Sequence, residues 1–163
     1  MRKLSPLPGS HGFTLIELMI VVAVIGILLA IGVPNYQEYV LRSKLTDAGS
    51  SLSQLRVTLE QYFHDNRSYD ANPDPLAATG NCHQRVIDVM NRLTSRYFTY
   101  TCTTANAGQT FLVTATGVAA GGTGQFTYTI DEANNRQTTG LPAGRGNVPP
   151  TANCWLTAKG QTC

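Results

Sequence analysis

The sequence predicts an α+β protein in which a long N-terminal helix packs on an antiparallel sheet of three to four strands. Three features support this prediction: an apolar run near the N-terminus, an amphipathic stretch of helical period directly after it, and alternation of apolar residues with threonines in the second half. One long helix followed by a run of strands is typical of an antiparallel sheet that packs one face on the helix.

The first half of the predicted helix, residues 13–33, is long enough to cross a membrane. Its only charged residue is Glu17, and at 1.5 Å per residue it spans about 31 Å, close to the hydrocarbon thickness of a bilayer. Arg2 and Lys3 lie in the short polar segment 1–12, so the positive-inside rule predicts a cytoplasmic N-terminus. A carboxylate in such a helix is costly unless it lies at the headgroup level, which favours a functional role for Glu17.

The second half of the helix, residues 34–65, carries an apolar stripe among polar residues. Gly32 and Pro34 weaken the helical hydrogen bonds between the two halves, so we expect bending there. The stripe predicts that this half packs on the core of a head domain, residues 66–163, rather than forming a long coiled coil. Its members follow a spacing of three and four residues: Leu45, Ala48, Leu52, Leu55, Leu59 and Tyr62.

The head domain is predicted to contain one short helix and three half-buried strands. Apolar residues at helical spacing predict the helix within 81–96. The glycine-rich segment 117–124 is expected to be a flexible turn, because it lacks the lysine and the following helix of a phosphate-binding loop. The chain from Leu141 onward is predicted to be irregular. Period-two alternation predicts strands at 98–103, 111–116 and 126–131, with a short fourth strand at 137–139.

The start of the apolar run carries the most specific motif of the sequence. GFTLIEL, residues 12–18, follows the short basic segment, and the similarity continues through the apolar residues to Pro34-Asn35-Tyr36. This segment resembles the class III signal of type IV pilins, closest to Gram-negative type IVa pilins and minor pilins, and of the related pseudopilins. The resemblance also implies the pilin roll, which is the α+β architecture described above.

The resemblance implies a processing step and an assembly step. A prepilin peptidase and methyltransferase would remove residues 1–12 by cutting between Gly12 and Phe13, and would N-methylate Phe13. Glu17 would then pair with the N-terminal amine of a neighbouring subunit, and the region around Pro34 would lose helicity in the filament. The implied partners are other pilin subunits and the inner-membrane assembly platform. The implied locations are the inner membrane and then the extracellular pilus, which serves adhesion, twitching motility or DNA uptake.

The four cysteines all lie in the second half of the chain. An even number beside an export-type N-terminus predicts disulfides formed in an oxidising compartment. Four cysteines permit three pairings. We favour Cys82–Cys102 and Cys154–Cys163, because each pair joins segments that are close in sequence, and a C-terminal disulfide loop also fits the resemblance to pilins.

Three other functions compete with a structural pilus subunit. A pseudopilin of a type II secretion system would share the signal and the helix. A minor pilin could capture DNA or a host receptor, with Arg85, Arg92 and Arg96 as a basic strip at helical spacing, although the net charge of +2 predicts no strong overall attraction to DNA. An anchored enzyme is not expected, because no catalytic constellation, metal-ligand spacing or cofactor motif occurs in the sequence.

Overall fold

The computed structural model describes residues 13–146 and 153–163, so the expected leader and its cut after Gly12 lie outside the described residues. The chain forms two compact units that divide after Gln37. Two short 3₁₀ helices, Pro75–Ala77 and Ala119–Gly121, lie in the loops. The main elements in chain order are α1 (Leu15–Asn66), α2 (Gln84–Leu93), β1 (Phe98–Ala105), β2 (Thr110–Gly117), β3 (Thr127–Asp131) and β4 (Arg136–Gly140).

The first unit contains the apolar half of α1. Every residue from Phe13 to Gln37 is exposed, and this helix is long and apolar enough to cross a membrane by length and composition. Pro34 lies within α1 and does not end it. An exposed apolar surface of this extent is not stable in water, so it must be covered by lipid or by protein.

The second unit begins at Glu38 and contains the rest of α1 with the head. All six residues of the predicted stripe are buried, and Leu45, Ala48, Leu52, Leu55 and Leu59 have no exposed surface. They form one core with the inward side chains of the sheet. The predicted α+β architecture is therefore confirmed. The sheet contributes Phe98, Tyr100, Phe111, Val113, Ala115, Tyr128 and Ile130 to this core.

The sheet is an antiparallel meander of order β1-β2-β3-β4. β1 and β2 pair over eight residues, from Phe98 opposite Gly117 to Ala105 opposite Thr110. The fourth strand extends one residue further at each end than the sequence predicts. β4 pairs with β3 from Arg136, opposite Ile130, to Gly140, opposite Thr127, and the register shifts between Thr127 and Tyr128. Inward apolar residues alternate with exposed threonines along β1, as expected for a sheet with one solvated face.

The head helix α2 is shorter than the segment 81–96 that its apolar spacing suggests. Its first turn is capped by His83, whose Nδ1 accepts a hydrogen bond from the backbone N–H of Arg85. Asn81 lies outside the helix because it pairs with Thr103 in an isolated β-bridge. After Leu93 the helix ends, and the hydroxyl of Ser95 accepts hydrogen bonds from the backbone of the residues that lead into β1.

The glycine-rich segment 117–124 is a packed loop, which corrects the expectation of a flexible turn. Thr123 is fully buried, and its hydroxyl donates a hydrogen bond to the carbonyl of Tyr97. The backbone N–H of Gly117 donates to the carbonyl of Phe126. A Cβ on Gly121 would lie 2.3 Å from the carbonyl oxygen of Arg96. The glycines therefore permit close packing between the loop and the start of β1.

Two disulfides and a tryptophan tie the irregular segments to the head. Cys82 pairs with Cys102 and Cys154 with Cys163, which is the pairing favoured from the sequence. Trp155 donates an indole hydrogen bond of 2.9 Å to the carbonyl of Thr129 in β3. Its ring lies against α1 at Gly49, where an added Cβ would approach the ring to 2.9 Å. The C-terminal segment is therefore part of the packed layer between β4 and α1.

Asp70 is a buried carboxylate that closes the loop between α1 and α2. It has no exposed surface. It accepts hydrogen bonds from the backbone N–H groups of Asn72, Thr79 and Gly80 and from the hydroxyls of Thr79 and Thr104. Burial raises the pKa of Asp70, but these hydrogen bonds outweigh it and hold the pKa well below its usual range. One charged side chain thus fixes both ends of the loop to β1.

We expect Asp70→Asn to lower the free energy of unfolding by about 2 kcal/mol at pH 7, because an amide cannot accept all of these hydrogen bonds. Urea unfolding of the full-length chain in detergent, followed by tryptophan fluorescence, measures this loss. Asp74→Asn is the matched control, because Asp74 is exposed.

The same variant has a distinct pH dependence. A depressed folded-state pKa contributes stability that is present above the unfolded-state pKa, near 4, and is lost as pH falls below that value. The deficit of Asp70→Asn relative to the unmodified chain should therefore shrink between about pH 4 and pH 2. A deficit that stays constant across this range would contradict the role assigned to the carboxylate.

Candidate assembly and binding sites

The N-terminal end of α1 carries a reciprocal cap between Thr14 and Glu17. The hydroxyl of Thr14 accepts a hydrogen bond from the backbone N–H of Glu17 at 3.3 Å. The carboxylate of Glu17 accepts from the backbone N–H of Thr14 at 3.5 Å and from its hydroxyl at 3.4 Å. This is the capping-box arrangement, in which a threonine and a glutamate three residues later satisfy free N–H groups of the first turn.

These hydrogen bonds are long, so they hold Glu17 weakly. Donor–acceptor distances of 3.3–3.5 Å lie at the weak end of the range for protein hydrogen bonds. The carboxylate also lies in the first turn of α1, where the helix dipole favours negative charge. Glu17 is therefore poised at the helix end and retains the capacity to accept a stronger hydrogen bond from a cation.

The sequence predicts a role for Glu17, but that prediction does not include its partner Thr14. The signal was present, because a threonine followed three residues later by glutamate marks a capping box. Phe13, the residue before Thr14, is 83% exposed. The structure thus places Phe13, Thr14 and Glu17 together at one helix end, whereas Pro34 lies five turns away along the same helix.

The predicted basic strip is only partly helical. Arg85 and Arg92 are exposed and lie two turns apart on α2. Asp88 lies between them on the same helix and accepts a hydrogen bond from Gln84, so one negative charge interrupts the strip. Arg96 lies beyond the end of α2, so the helical spacing applies to Arg85 and Arg92 alone.

Arg96 belongs instead to a cluster around Tyr97. Its guanidinium lies 4.9 Å from the centre of the Tyr97 ring and donates a hydrogen bond of 2.6 Å to the tyrosine hydroxyl. The ammonium of Lys44 lies 4.6 Å from the same ring and donates to the carbonyl of Gly121 at 3.0 Å. Cation–π contacts of this kind keep cations at fixed positions on a surface. Two cations that are 52 residues apart in sequence thus share one aromatic ring.

Lys44 and Tyr97 were missed by the sequence analysis. Lys44 lies on the polar side of α1, where a solvated lysine is the ordinary interpretation, and Tyr97 precedes a strand. No local pattern brings them together, because their contact depends on how the sheet packs on the helix.

A second charged contact lies where the second unit begins on α1. Arg145 forms a bidentate ion pair with Glu38. The distances are 2.9 Å between Nη1 and Oε2 and 2.5 Å between Nη2 and Oε1. The hydrogen bond from Arg145 lowers the pKa of Glu38. The guanidinium also lies 5.4 Å from the centre of the Phe126 ring. The segment after β4 is therefore fastened to α1 by a charge pair with planar geometry.

Two acidic residues of the head, Asp70 and Asp131, have structural partners. Asp70 is enclosed by hydrogen bonds from its own loop, and Asp131 accepts hydrogen bonds from Asn135 in the turn between β3 and β4. Among the residues that the structure describes, no group of three or more His, Cys, Asp or Glu side chains is placed to hold a metal ion.

Two family models match this chain. A model described as "Prokaryotic N-terminal methylation motif" matches residues 7–33. A model described as "Type IV minor pilin ComP, DNA uptake sequence receptor" matches residues 34–126. The two matches adjoin, and together they cover α1, α2, β1, β2 and the loop that leads into β3.

Several curated proteins are similar to the N-terminal part of the chain. The type IV major fimbrial protein FimA of Dichelobacter nodosus is 51% identical over 59 residues, which cover 36% of this chain and 37% of FimA. A probable minor fimbrial protein of the same organism is 44% identical over 75 residues, with coverages of 44% and 47%. A fimbrial protein of Pseudomonas aeruginosa is 47% identical over 67 residues, with coverages of 41% and 44%. The chain thus matches less than half the length of each of these relatives.

The long helix with an exposed apolar half, the antiparallel meander packed on its other half and the disulfide-tethered C-terminal segment define a type IV pilin. The chain belongs to the family of the type IV minor pilin ComP, the DNA uptake sequence receptor. The prediction of a pilin from the motif at residues 12–18 is therefore confirmed. The resemblance to minor pilins is confirmed as well.

Proposed function

We propose that this pilin is cut between Gly12 and Phe13, N-methylated at Phe13 and assembled into a pilus through α1. The observation that supports this proposal is an exposed apolar half-helix whose only charge, Glu17, lies in its first turn beside Phe13. After the cut, the new amine of one subunit and the Glu17 carboxylate of a neighbour are the only opposite charges in this part of the helix.

Physical chemistry explains why this arrangement suits assembly. In lipid, two separated charges each carry a desolvation cost, and a paired charge carries much less. Apolar packing between helices is non-directional, so the single ion pair sets the register of an entering subunit. Because its bonds to Thr14 are long, Glu17 exchanges them for a charge-assisted hydrogen bond at small cost.

The proposed route starts in the bacterial inner membrane. The chain spans it once through residues 13–33, with its N-terminus in the cytoplasm. A prepilin peptidase and methyltransferase processes it, the assembly platform extracts it, and other pilin subunits receive it in the extracellular pilus. A pseudopilin of a type II secretion system would share these steps but remain periplasmic. The minor-pilin family match favours the pilus.

Processing and location are tested together by mass analysis. We expect sheared surface filaments to contain a chain that begins at N-methylated Phe13 and is four hydrogens lighter than its reduced form, because two disulfides have formed. Intact-mass and N-terminal peptide analysis of filaments and membranes measures this. A processed chain confined to membranes would support the pseudopilin instead. A chain that begins at Met1 would contradict the cut site.

Glu17→Val tests the ion pair separately from the cut. We expect normal processing at Gly12, because the variant leaves the cleavage site unchanged. Incorporation into filaments should fall at least tenfold, because the amine of the neighbouring subunit loses its partner. Leu18→Val is the control in the same turn. The measurement is the ratio of processed chain in filaments to that in membranes, and an unchanged ratio would contradict the role of Glu17.

We propose DNA binding as a second function of the head. The family description names a DNA uptake sequence receptor, and two sets of cations support the proposal. Lys44 and Arg96 are held on Tyr97, and Arg85 and Arg92 are exposed on α2. Fixed cations on an aromatic platform neutralise phosphates with little loss of side-chain entropy.

The DNA hypothesis predicts a salt-dependent interaction that depends on these cations. Double-stranded oligonucleotide binding by the full-length chain in detergent should weaken at least tenfold when Lys44 and Arg96 are both changed to Ala. The slope of log K against log salt should fall by about two, because two phosphate contacts are lost. Fluorescence anisotropy at several salt concentrations measures both quantities.

Two further variants complete the DNA experiment. Arg85→Ala with Arg92→Ala determines whether α2 contributes to the same interaction. Lys159→Ala removes one exposed positive charge that belongs to neither set and should leave binding unchanged. An equal effect of all three variants would indicate attraction by net charge alone and would contradict a defined DNA site.

A further inference from the structure

Two exposed tyrosines follow the apolar run of α1. Tyr36 and Tyr39 are 69% and 73% exposed, and both lie within the helix. They are three residues apart, so their side chains are neighbours on one side of the helix. A tyrosine combines a large apolar ring with a hydroxyl at its tip, and such side chains are favoured where one end is apolar and the other is wet.

The length of the apolar run places these rings relative to a membrane. Val33 ends the run, and at 1.5 Å per residue Tyr36 lies about 4.5 Å and Tyr39 about 9 Å further along the helix. A bilayer is about 40–45 Å thick with a hydrocarbon core of about 30 Å, so each headgroup layer is about 5–8 Å thick. Because helical side chains lean toward the N-terminus, both rings lean back into this layer.

The neighbouring charges suit the same layer. Glu38, between the two tyrosines in sequence, is neutralised by Arg145. Arg42 is exposed and lies three residues after Tyr39. Its long side chain allows the guanidinium to lean back toward lipid phosphates, while its methylene groups cover apolar surface. Tyrosines and arginines at the end of a membrane-length helix are typical interfacial anchors.

We propose that Tyr36, Tyr39 and Arg42 bind the periplasmic headgroup layer of the inner membrane and hold α1 at a fixed depth before assembly. The surface continues the apolar part of the helix, which lipid covers in the proposed route. The inference rests on that proposed membrane span and adds the lipid headgroups as a partner of the chain.

An anchor at this end determines the depth of Glu17. Glu17 and Tyr36 are 19 residues apart on α1, a distance of about 29 Å along the helix, which is close to the thickness of the hydrocarbon core. With the tyrosine rings at the periplasmic edge of the core, the carboxylate lies at the cytoplasmic edge. The aliphatic residues between them have no preferred depth within the hydrocarbon, so they leave the register to the two ends.

The experiment uses the full-length chain in nanodiscs of phosphatidylethanolamine and phosphatidylglycerol. Separate samples carry 3-fluorotyrosine at residue 36, at residue 39 or at residue 22, where Val22 is exposed near the middle of the span. A lipid with a nitroxide on its headgroup should enhance fluorine relaxation at residues 36 and 39 at least threefold more than a lipid with a nitroxide at the end of its acyl chain. Residue 22 should show the reverse ratio.

A pair of double variants tests whether the tyrosines set the depth. Tyr36→Leu with Tyr39→Leu lengthens the apolar run, so residue 22 should move away from the bilayer centre. Its relaxation by the acyl-chain nitroxide should then fall at least twofold. Tyr36→Trp with Tyr39→Trp is the matched control, because tryptophan favours the same interface, and it should leave residue 22 unchanged. An equal response in the leucine and tryptophan variants would overturn the role of the tyrosines.

The response of residue 22 separates this inference from the proposed span. Residues 36 and 39 that respond mainly to the acyl-chain nitroxide, or to neither nitroxide, would overturn the anchor if residue 22 keeps its response, and would leave the span standing. A residue 22 that responds to neither nitroxide would overturn the span and the anchor together.

Discussion

Packing of the α1 stripe on the inner face of the sheet is the interaction on which the rest of the head depends. Four leucine side chains of the helix lose all exposure there, and burial of each stabilises the fold by roughly 1.5–3 kcal/mol relative to exposure. The contacts of Asp70, Tyr97, Arg145 and Trp155 join loops and the C-terminal segment to this two-layer core. The Tyr97 cluster, the Asp70 loop and the Trp155 contact all exist because the helix and the sheet fix their positions relative to each other.

The two halves of α1 have different surroundings, and their patterns of apolar and polar residues differ accordingly. Up to Gln37 it is exposed and apolar, which suits lipid or a bundle of like helices. From Glu38 onward it carries an apolar stripe on one face, which suits packing on the core of the head. Glu17 and the pair of Glu38 with Arg145 place a charge near each end of the apolar part. The first is weakly held and available to a neighbour, whereas the second is already neutralised within the chain.

Periodicity predicted the architecture well, because helices and strands bury side chains at fixed intervals. The stripe from Leu45 to Tyr62 and the threonine alternation of β1 needed no information beyond their spacing. Periodicity did not predict the long-range polar contacts. Nothing in the sequence around Asp70 shows that Thr104 will approach it. Arg96 was predicted at helical spacing, since apolar spacing alone does not reveal that α2 ends at Leu93. Such contacts depend on tertiary placement, which a periodic pattern does not encode.

The contact between Trp155 and Gly49 constrains the order in which the head is completed. The tryptophan joins segments separated by most of the head sequence, so a large loop must close before the ring reaches the helix. Because synthesis starts at the N-terminus, α1 exists before the sheet, and its apolar stripe stays incompletely covered until the region around Trp155 has followed. During that interval the exposed apolar stripe makes the incomplete chain prone to aggregation. Oxidation of Cys154 with Cys163 is then a late step that secures a layer already in place.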